Sequence, residues 1–282
     1  MRVTFHGVRG SIPTPGPSTV RYGGNTVCVE VRLADGTLIV LDAGTGIREL
    51  GKQLIAAHHA APIHLFLTHG HWDHIIGLPF FAPLYSKDTH LVLHAVTALA
   101  RARTRNPIIF DGEHFPVRFA DLPARIDHDE DSEDLHIGSA RVRHIELNHP
   151  GSCVGFRIDD DDGSSLCYLT DNELDPPGIA TTSATDLARF AAGASLLVHD
   201  AQYVAADMPA KRGWGHSTVD QVLALGKEAE ARVLALHHHE PERDDDALDG
   251  IAADADAWTR ENAPAMKAMV AREGVELVLP PA

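Results

Sequence analysis

Four residues of metal-ligand type fall within six positions of Thr68-His69-Gly70-His71-Trp72-Asp73-His74. The segment follows His64–Leu67, an apolar run that reads as a strand. A strand end is a rigid platform from which side chains can leave the sheet for a cleft. His69 and His71 are two apart and project the same way while the chain stays extended. Asp73 and His74 come where the chain turns into Ile75–Leu84. Such a cluster can serve two metal ions, His69 and His71 one, Asp73 and His74 the other. Imidazole and carboxylate ligands suit Zn²⁺, and also Mn²⁺ or iron. The competing reading is a polar loop that is merely rich in histidine. The density of the cluster and its place after a strand argue against it. Histidine is also abundant overall, 19 against 4 Tyr and 3 Trp.

The elements that must hold this cluster are visible on both sides of it. Val3–Val8 reads as a short strand, followed by a Gly/Pro-rich loop from Gly10 to Gly24. Thr26–Leu33 and Thr37–Leu41 alternate and are joined by Ala34-Asp35-Gly36, a hairpin signal. Gly46–His59 has helical spacing, with Ile47, Leu50, Leu54 and Ile55 on one face. Leu91–His94 is a strand, and Val96–Arg105 is helical. Residues 107–140 mix short apolar runs with an acidic stretch, Asp127–Asp134. Ala140–Leu147, Cys153–Ile158 and Ser165–Thr170 read as consecutive strands, and Asp159–Gly163 as a solvated acidic turn. Leu187–Ala192 is helical, Leu196–His199 a strand, Thr218–Glu230 a helix, Arg232–Leu236 a strand, Asp244–Arg260 a helix and Val275–Leu279 a last strand. Two runs of strands, each flanked by helices, predict two sheets packed face to face with helices outside. No linker, repeat or low-complexity tract divides the chain, so residues 1–282 read as one domain.

The 282 residues, 44% hydrophobic, suffice for a full core. The net charge of −16 disfavours broad binding to nucleic acid. Three cysteines cannot build a disulfide framework; Cys28, Cys153 and Cys167 are expected as small buried hydrophobes in a reducing cytoplasm. The start has no apolar run of signal-peptide length, and no stretch approaches the roughly 20 apolar residues that span a bilayer, so no membrane partner is expected.

The His-x-His-x-Asp-His pattern resembles the signature of the metallo-β-lactamase superfamily. Leu41-Asp42-Ala43-Gly44-Thr45-Gly46 is similar to that family's turn before its first helix. Asn148-His149-Pro150-Gly151-Ser152 is similar to its third-histidine motif, and Tyr168-Leu169-Thr170-Asp171 to the strand ending in a bridging aspartate. Leu236-His237-His238-His239-Glu240-Pro241 is similar to the strand ending in its last histidine. The resemblance implies an αββα four-layer sandwich of two mixed sheets with a two-metal site at one edge. It implies that His69, His71 and His149 hold one ion, that Asp73, His74 and His238 hold the other, and that Asp171 bridges them. His237 and His238 compete for the last place; alignment on Glu240-Pro241 selects His238. Standing alone, His149 would read as a turn residue and Asp171 as a turn former or helix cap. Asp42 has a supporting role open to it, orienting the ligand loop through hydrogen bonds.

Three further motifs bear on the reaction. Gly213-Trp214-Gly215-His216-Ser217-Thr218 precedes a helix whose Thr218 and Gln221 have capping-box spacing and whose apolar face is Val219, Val222 and Leu223. It resembles the Gly-His-Ser-Thr segment of ribonuclease Z-like phosphodiesterases, which implies a phosphate contact and leaving-group assistance by His216. Leu197-Val198-His199-Asp200 is similar to the acidic motif that orients that histidine. Without the family, His216 would read as a cap-adjacent histidine and Asp200 as a strand-end turn residue. Gly7-Val8-Arg9-Gly10-Ser11-Ile12-Pro13 and Arg21-Tyr22-Gly23-Gly24-Asn25-Thr26 look like the opening of cyclic-phosphate and cyclic-nucleotide phosphodiesterases, with Ser11 and Asn25 as substrate contacts. Asn172–Ser195, where tRNA-processing relatives carry a protruding arm, is short and not basic, so neither tRNA nor DNA is expected as a substrate.

The combined expectation is a cytoplasmic hydrolase with two divalent ions, Zn²⁺ first and Mn²⁺ second. A hydroxide held between them would attack the phosphorus of a cyclic nucleotide or ribose cyclic phosphate, with His216 assisting the leaving oxygen and Asp200 orienting it. Contacts to the rest of the substrate would come from loops such as Ser86–Asp88 and Arg103–His114. The alternatives are a thioester or lactone hydrolase of the same fold, or a metal-binding sensor without turnover. A homodimer is the default for an oligomer.

Overall fold

A computed structural model describes residues 1–94, 108–110, 112–113, 115–129 and 134–280. The helix expected over 96–105 and most of the loop 103–114 lie outside the described residues. Among the described residues fourteen strands form two seven-stranded mixed sheets. The first sheet contains β1 (Arg2–Gly7), β2 (Cys28–Arg32), β3 (Leu38–Leu41), β4 (Ile63–Phe66), β5 (His90–His94), β6 (Arg125–Asp129) and β14 (Glu276–Val278), in the order β14-β1-β2-β3-β4-β5-β6. The second contains β7 (Asp134–Ile137), β8 (Ala140–Leu147), β9 (Cys153–Asp160), β10 (Ser165–Leu169), β11 (Leu196–Asp200), β12 (Val233–His237) and β13 (Lys267–Val270), in the order β13-β12-β11-β10-β9-β8-β7.

In the first sheet β14, β1, β2 and β3 pair antiparallel and β3 to β6 parallel; in the second β7 to β10 pair antiparallel and β10 to β13 parallel. Parallel neighbours need a long connection. Here helices supply it: α1 (Ile47–Ala56) between β3 and β4, α3 (Ala184–Phe190) between β10 and β11, α4 (Val219–Glu228) between β11 and β12, and α5 (Asp245–Asn262) between β12 and β13. The short α2 (Trp72–Ile75) follows β4.

Alternation along the strands divides the core into three layers. Phe5, Val29, Val31, Ile39 and Phe66 of the first sheet meet Val142, Phe156, Ile158, Tyr168 and Val198 of the second. Phe66 and Phe156 interlock edge to face at 5.0 Å across that seam. The opposite face of the first sheet packs on Ile47, Leu50 and Leu54 of α1 and on Phe81 and Leu84. The opposite face of the second packs on Leu187, Val222, Leu223 and Leu248 of α3, α4 and α5. This is the αββα sandwich expected.

Thr218 caps α4 and forms the anticipated capping box with Gln221. Ile55 is 45% exposed and so leaves the apolar face of α1 where the spacing put it. The acidic turn at 159–163 is more than a solvated tip. Asp160 is buried and accepts from Ala34 N–H and Ser139 Oγ, while Asp159 pairs with Arg143 and Arg157. All three cysteines are buried and free, and burial pushes the Cys167 thiol up to about 12. Among the described residues no helix is long and apolar enough to cross a membrane.

Candidate metal centre

Every residue of the centre leaves a strand at the same edge of the sandwich. Asp42 follows β3, the His69–His74 cluster follows β4, His149 follows β8, Asp171 follows β10, Asp200 ends β11 and His238 follows β12. Parallel registry aligns these exits, with Leu41 beside Phe66 and Asp200 beside His237. The chain then turns sharply. Asp42, Asp171 and His238 all adopt left-handed backbone, with φ of 62°, 53° and 60°. Such conformations cost of order 1–3 kcal/mol each in non-glycine residues and concentrate at functional sites. His71 stays extended as the N-cap of α2, and the next turn carries Asp73 and His74 inward.

The side chains converge in two groups that share Asp171. His69, His71, His149 and Asp171 have ligand atoms all within 4.8 Å of one another, as do Asp73, His74, Asp171 and His238. Asp171 Oδ2 lies 3.6 Å from His69 Nε2 and 3.7 Å from His149 Nε2. Its Oδ1 lies 3.1 Å from His74 Nε2 and 3.2 Å from His238 Nε2. One carboxylate thus faces both groups. His71 is exposed while Asp73, His74, Asp171 and His238 are buried, so the first group forms the mouth and the second the floor.

Of the three consecutive histidines, His238 joins the cluster. His237 Nε2 bonds the carbonyl of Gly7, and His239 Nε2 that of Ala271. The turn at His238 breaks strand alternation and aims its ring at Asp73 Oδ2, 3.1 Å away.

The donor set fits divalent cations. His69 Nε2 is buried with no hydrogen-bond partner, and His74 Nε2 faces the carboxylates of Asp171 and Asp73 at 3.1 and 3.4 Å, an arrangement that an ion between them would complete. Their other nitrogens are held, His74 Nδ1 by Asp42 at 2.9 Å and His69 Nδ1 beside Thr68 Oγ1 at 3.1 Å. Electrostatics point the same way. Burial opposes charge on His74 and His238, but Asp171, Asp73 and their neighbours outweigh it. The His74 ring is held well above its ordinary value, and His238 is raised to about 9. Burial would likewise push Asp73 and Asp171 up, yet the surrounding histidines hold both well below the usual carboxylate range. The pocket therefore attracts positive charge, whether protons or a metal cation.

A third group adjoins the second. His216 Nδ1 lies 2.8 Å from Asp200 Oδ2, and its ring stacks on His238 with centroids 5.0 Å apart. Asp200 is fully buried and fixed by backbone N–H groups of Asn172 and Gln202. Ser11 lies beside the floor, its N–H donating to Asp73 Oδ2 at 2.7 Å. Asn25 is occupied within the fold: its Nδ2 donates to Glu273, and its Oδ1 accepts from Thr45.

The sequence profile described as "Beta-lactamase superfamily domain" matches residues 37–239, well over half of the chain. The chain belongs to the β-lactamase superfamily. It is 25% identical to "Ribonuclease Z" of Haloarcula marismortui over 84% of this chain and 86% of that protein. Among solved structures it resembles the metallo-β-lactamase fold protein YhfI from Bacillus subtilis, with a TM-score of 0.70 and 17% identity over 98% of both chains. It also resembles a diphosphatase of the PhnP family, with a TM-score of 0.68 and 18% identity over 100% of this chain and 98% of that one. As a member of this superfamily the protein is a metal-dependent hydrolase.

Several residues that support the superfamily site had no role assigned from sequence. Gln202 Oε1 contacts His238 Nδ1 at 2.9 Å, and its Nε2 donates to Glu240. Glu173 is buried and accepts from the N–H groups of Gly213 and Gly215, fixing the loop that carries His216. Tyr168 OH and Thr68 both donate to Asp42. Arg9, fully buried, donates to the carbonyls of Gly23, Glu240 and Arg243. A polar residue within a few positions of each strand exit is the signal that could have found them. Glycines of two motifs serve by close approach: a Cβ on Gly10 would meet the His238 ring at 2.4 Å, and one on Gly215 would meet His149 Nδ1 at 2.1 Å.

Proposed function

We propose that the protein is a phosphodiesterase acting on a small phosphodiester, a cyclic nucleotide or ribose cyclic phosphate, with two divalent ions, zinc or manganese. His69, His71 and His149 would hold one ion, Asp73, His74 and His238 the other, with Asp171 between them. Bound there, the ions supply Lewis acidity toward the phosphoryl oxygens and a nucleophile at neutral pH.

The observation that carries this reading is the Asp200–His216 pair, 2.8 Å apart and stacked against His238. A thioester leaves as a thiolate that needs little protonation, whereas a diester with an alkyl leaving group must expel an alkoxide. Asp200 holds the His216 tautomer with Nδ1 protonated and fixes the ring's orientation. Nε2 is then the atom that delivers a proton to the departing oxygen as its bond to phosphorus breaks. Ser11, tied through its N–H to Asp73 and with its hydroxyl beside Gln202, would contact a substrate at the floor. Asn25 draws no support as a substrate contact, since both ends of its amide are engaged. A small substrate rather than RNA is favoured by the region 172–195, which holds only the seven-residue α3, and by the net charge of −16. Three free buried cysteines accord with a reducing, cytoplasmic setting.

The test is a substrate comparison with metal-reconstituted protein: cyclic nucleotides, a ribose cyclic phosphate, a structured RNA and an acyl thioester. Turnover of a cyclic phosphodiester is expected. Turnover of the thioester alone would overturn the phosphate reading, and turnover of the RNA alone would overturn the small-substrate reading.

A further inference from the structure

The four-residue helix α2 has two faces with different environments. Asp73 and His74 turn into the ligand cluster and are buried. Trp72 and Ile75 line a cavity of about 320 Å³ on the outside, a size within the range of roughly 300–1,000 Å³ common for small-molecule sites. Phe80 and Phe115 form its far wall, edge to face with ring centroids 5.6 Å apart. Among the described residues its lining contains no charged side chain, and the Trp72 indole N–H is its sole polar side-chain group. Trp72 is 67% exposed and Phe80 55%. Two large aromatic rings open on one concavity, unlike the scattered apolar residues of an ordinary surface.

Position decides what this concavity serves. Trp72 stands in the chain between His71 of the mouth and Asp73 of the floor, so the cavity and the ligand cluster adjoin one four-residue helix. The cluster is suited to divalent cations, whose charge would draw a phosphate, and among the described residues the cavity offers apolar and π surface. A substrate bound across both has a phosphate at one end and a flat apolar group at the other. Indole and phenyl faces favour rings over chains, because stacked and edge-to-face geometries use the ring quadrupole.

We propose that this cavity is the subsite for a planar aromatic substituent of the phosphodiester, of the nucleobase or aryl kind, and that Trp72, Phe80 and Phe115 select for it. The inference rests on the phosphodiesterase reading and narrows it: a cyclic nucleotide fills the cavity, and a ribose cyclic phosphate without a base leaves it empty.

The test uses two non-hydrolysable probes, phenylphosphonate and methylphosphonate, titrated calorimetrically into zinc-reconstituted full-length protein. Phenylphosphonate is expected to bind at least tenfold more tightly. In Phe80→Ala and Phe115→Ala that advantage should fall to threefold or less, with methylphosphonate affinity unchanged. Phe80 is exposed, so its variant is expected to fold, and circular dichroism checks both variants. Equal affinities of the two probes for the unmodified protein would overturn the subsite, as would an advantage that survives both substitutions. A phenyl advantage lost in the variants, in a protein that turns over no phosphodiester, would uphold the subsite and overturn the phosphodiesterase reading instead.

Discussion

Asp42 Oδ2 lies 2.9 Å from Nδ1 of His74, and neither side chain is exposed to solvent. Asp42 also accepts from Thr68 and Tyr168, so one carboxylate ties β3, the ligand loop after β4 and β10 together. It fixes which nitrogen of His74 faces the cluster. Asp42→Asn is expected to leave the ligand set intact yet weaken metal affinity about 10–100-fold. Competition with a chromogenic chelator measures this; unchanged affinity would remove Asp42 from the metal site.

His216→Asn should retain both ions by mass spectrometry and lose kcat by roughly 10²–10⁴-fold, as expected for loss of a general acid. Asp200→Asn should act in the same direction, because the bond of 2.8 Å to His216 Nδ1 orients the ring. The loss should shrink for substrates whose leaving group needs no proton, such as p-nitrophenyl esters. A rise in KM alone would make His216 a binding residue.

Gly215→Ala tests the support of the mouth. The carbonyl of Gly215 accepts from His149 Nδ1 at 3.0 Å, and a methyl group there would collide with the same nitrogen. The residue has φ of +89°, where alanine is strained. Metal at the His69, His71 and His149 group is expected to fall while the floor keeps its ion, giving about one ion per chain. Two tightly held ions would refute the dependence.

Acid stability should carry the imprint of His94. Burial, with help from His64, lowers its pKa to about 3, against 6.5 unperturbed. The unfolded chain takes up the proton near pH 6.5 and the folded chain only near 3. Between these values the unfolded state binds more protons, so stability falls as pH falls, by at most ~1.4 kcal/mol per pH unit for this one group. Above pH 6.5 the residue contributes no slope. Urea midpoints at pH 7 and pH 5 should differ less in His94→Phe than in the unmodified protein; equal differences would contradict the shift.

What could be read before the structure followed burial. Interior strands such as β8, β10 and β11 are long or apolar enough to show their period, and the ligand motifs sit at their exits. The strands without a legible period are edges: β6 (Arg-Ile-Asp-His-Asp), β7 and β13. Edge strands bury little and carry charge that discourages further pairing, so their pattern resembles a loop. Within the site, the neighbouring Glu240-Pro241 singles out His238 in the sequence, whereas the physical reason is a left-handed turn that no periodicity discloses. Asn25 bonds Glu273, 248 positions away, and no local pattern reports such a bond.

The cluster draws its groups from both halves of the sandwich: His69, His71, Asp73 and His74 hang from the first sheet, and His149, Asp171 and His238 from the second. Neither half alone brings together all the groups of either candidate cluster. Occupancy is thereby a gauge of whether the halves have docked. A lesion anywhere along the apolar seam, even at Phe66 or Phe156 well inside it, should announce itself first as leakage of cations.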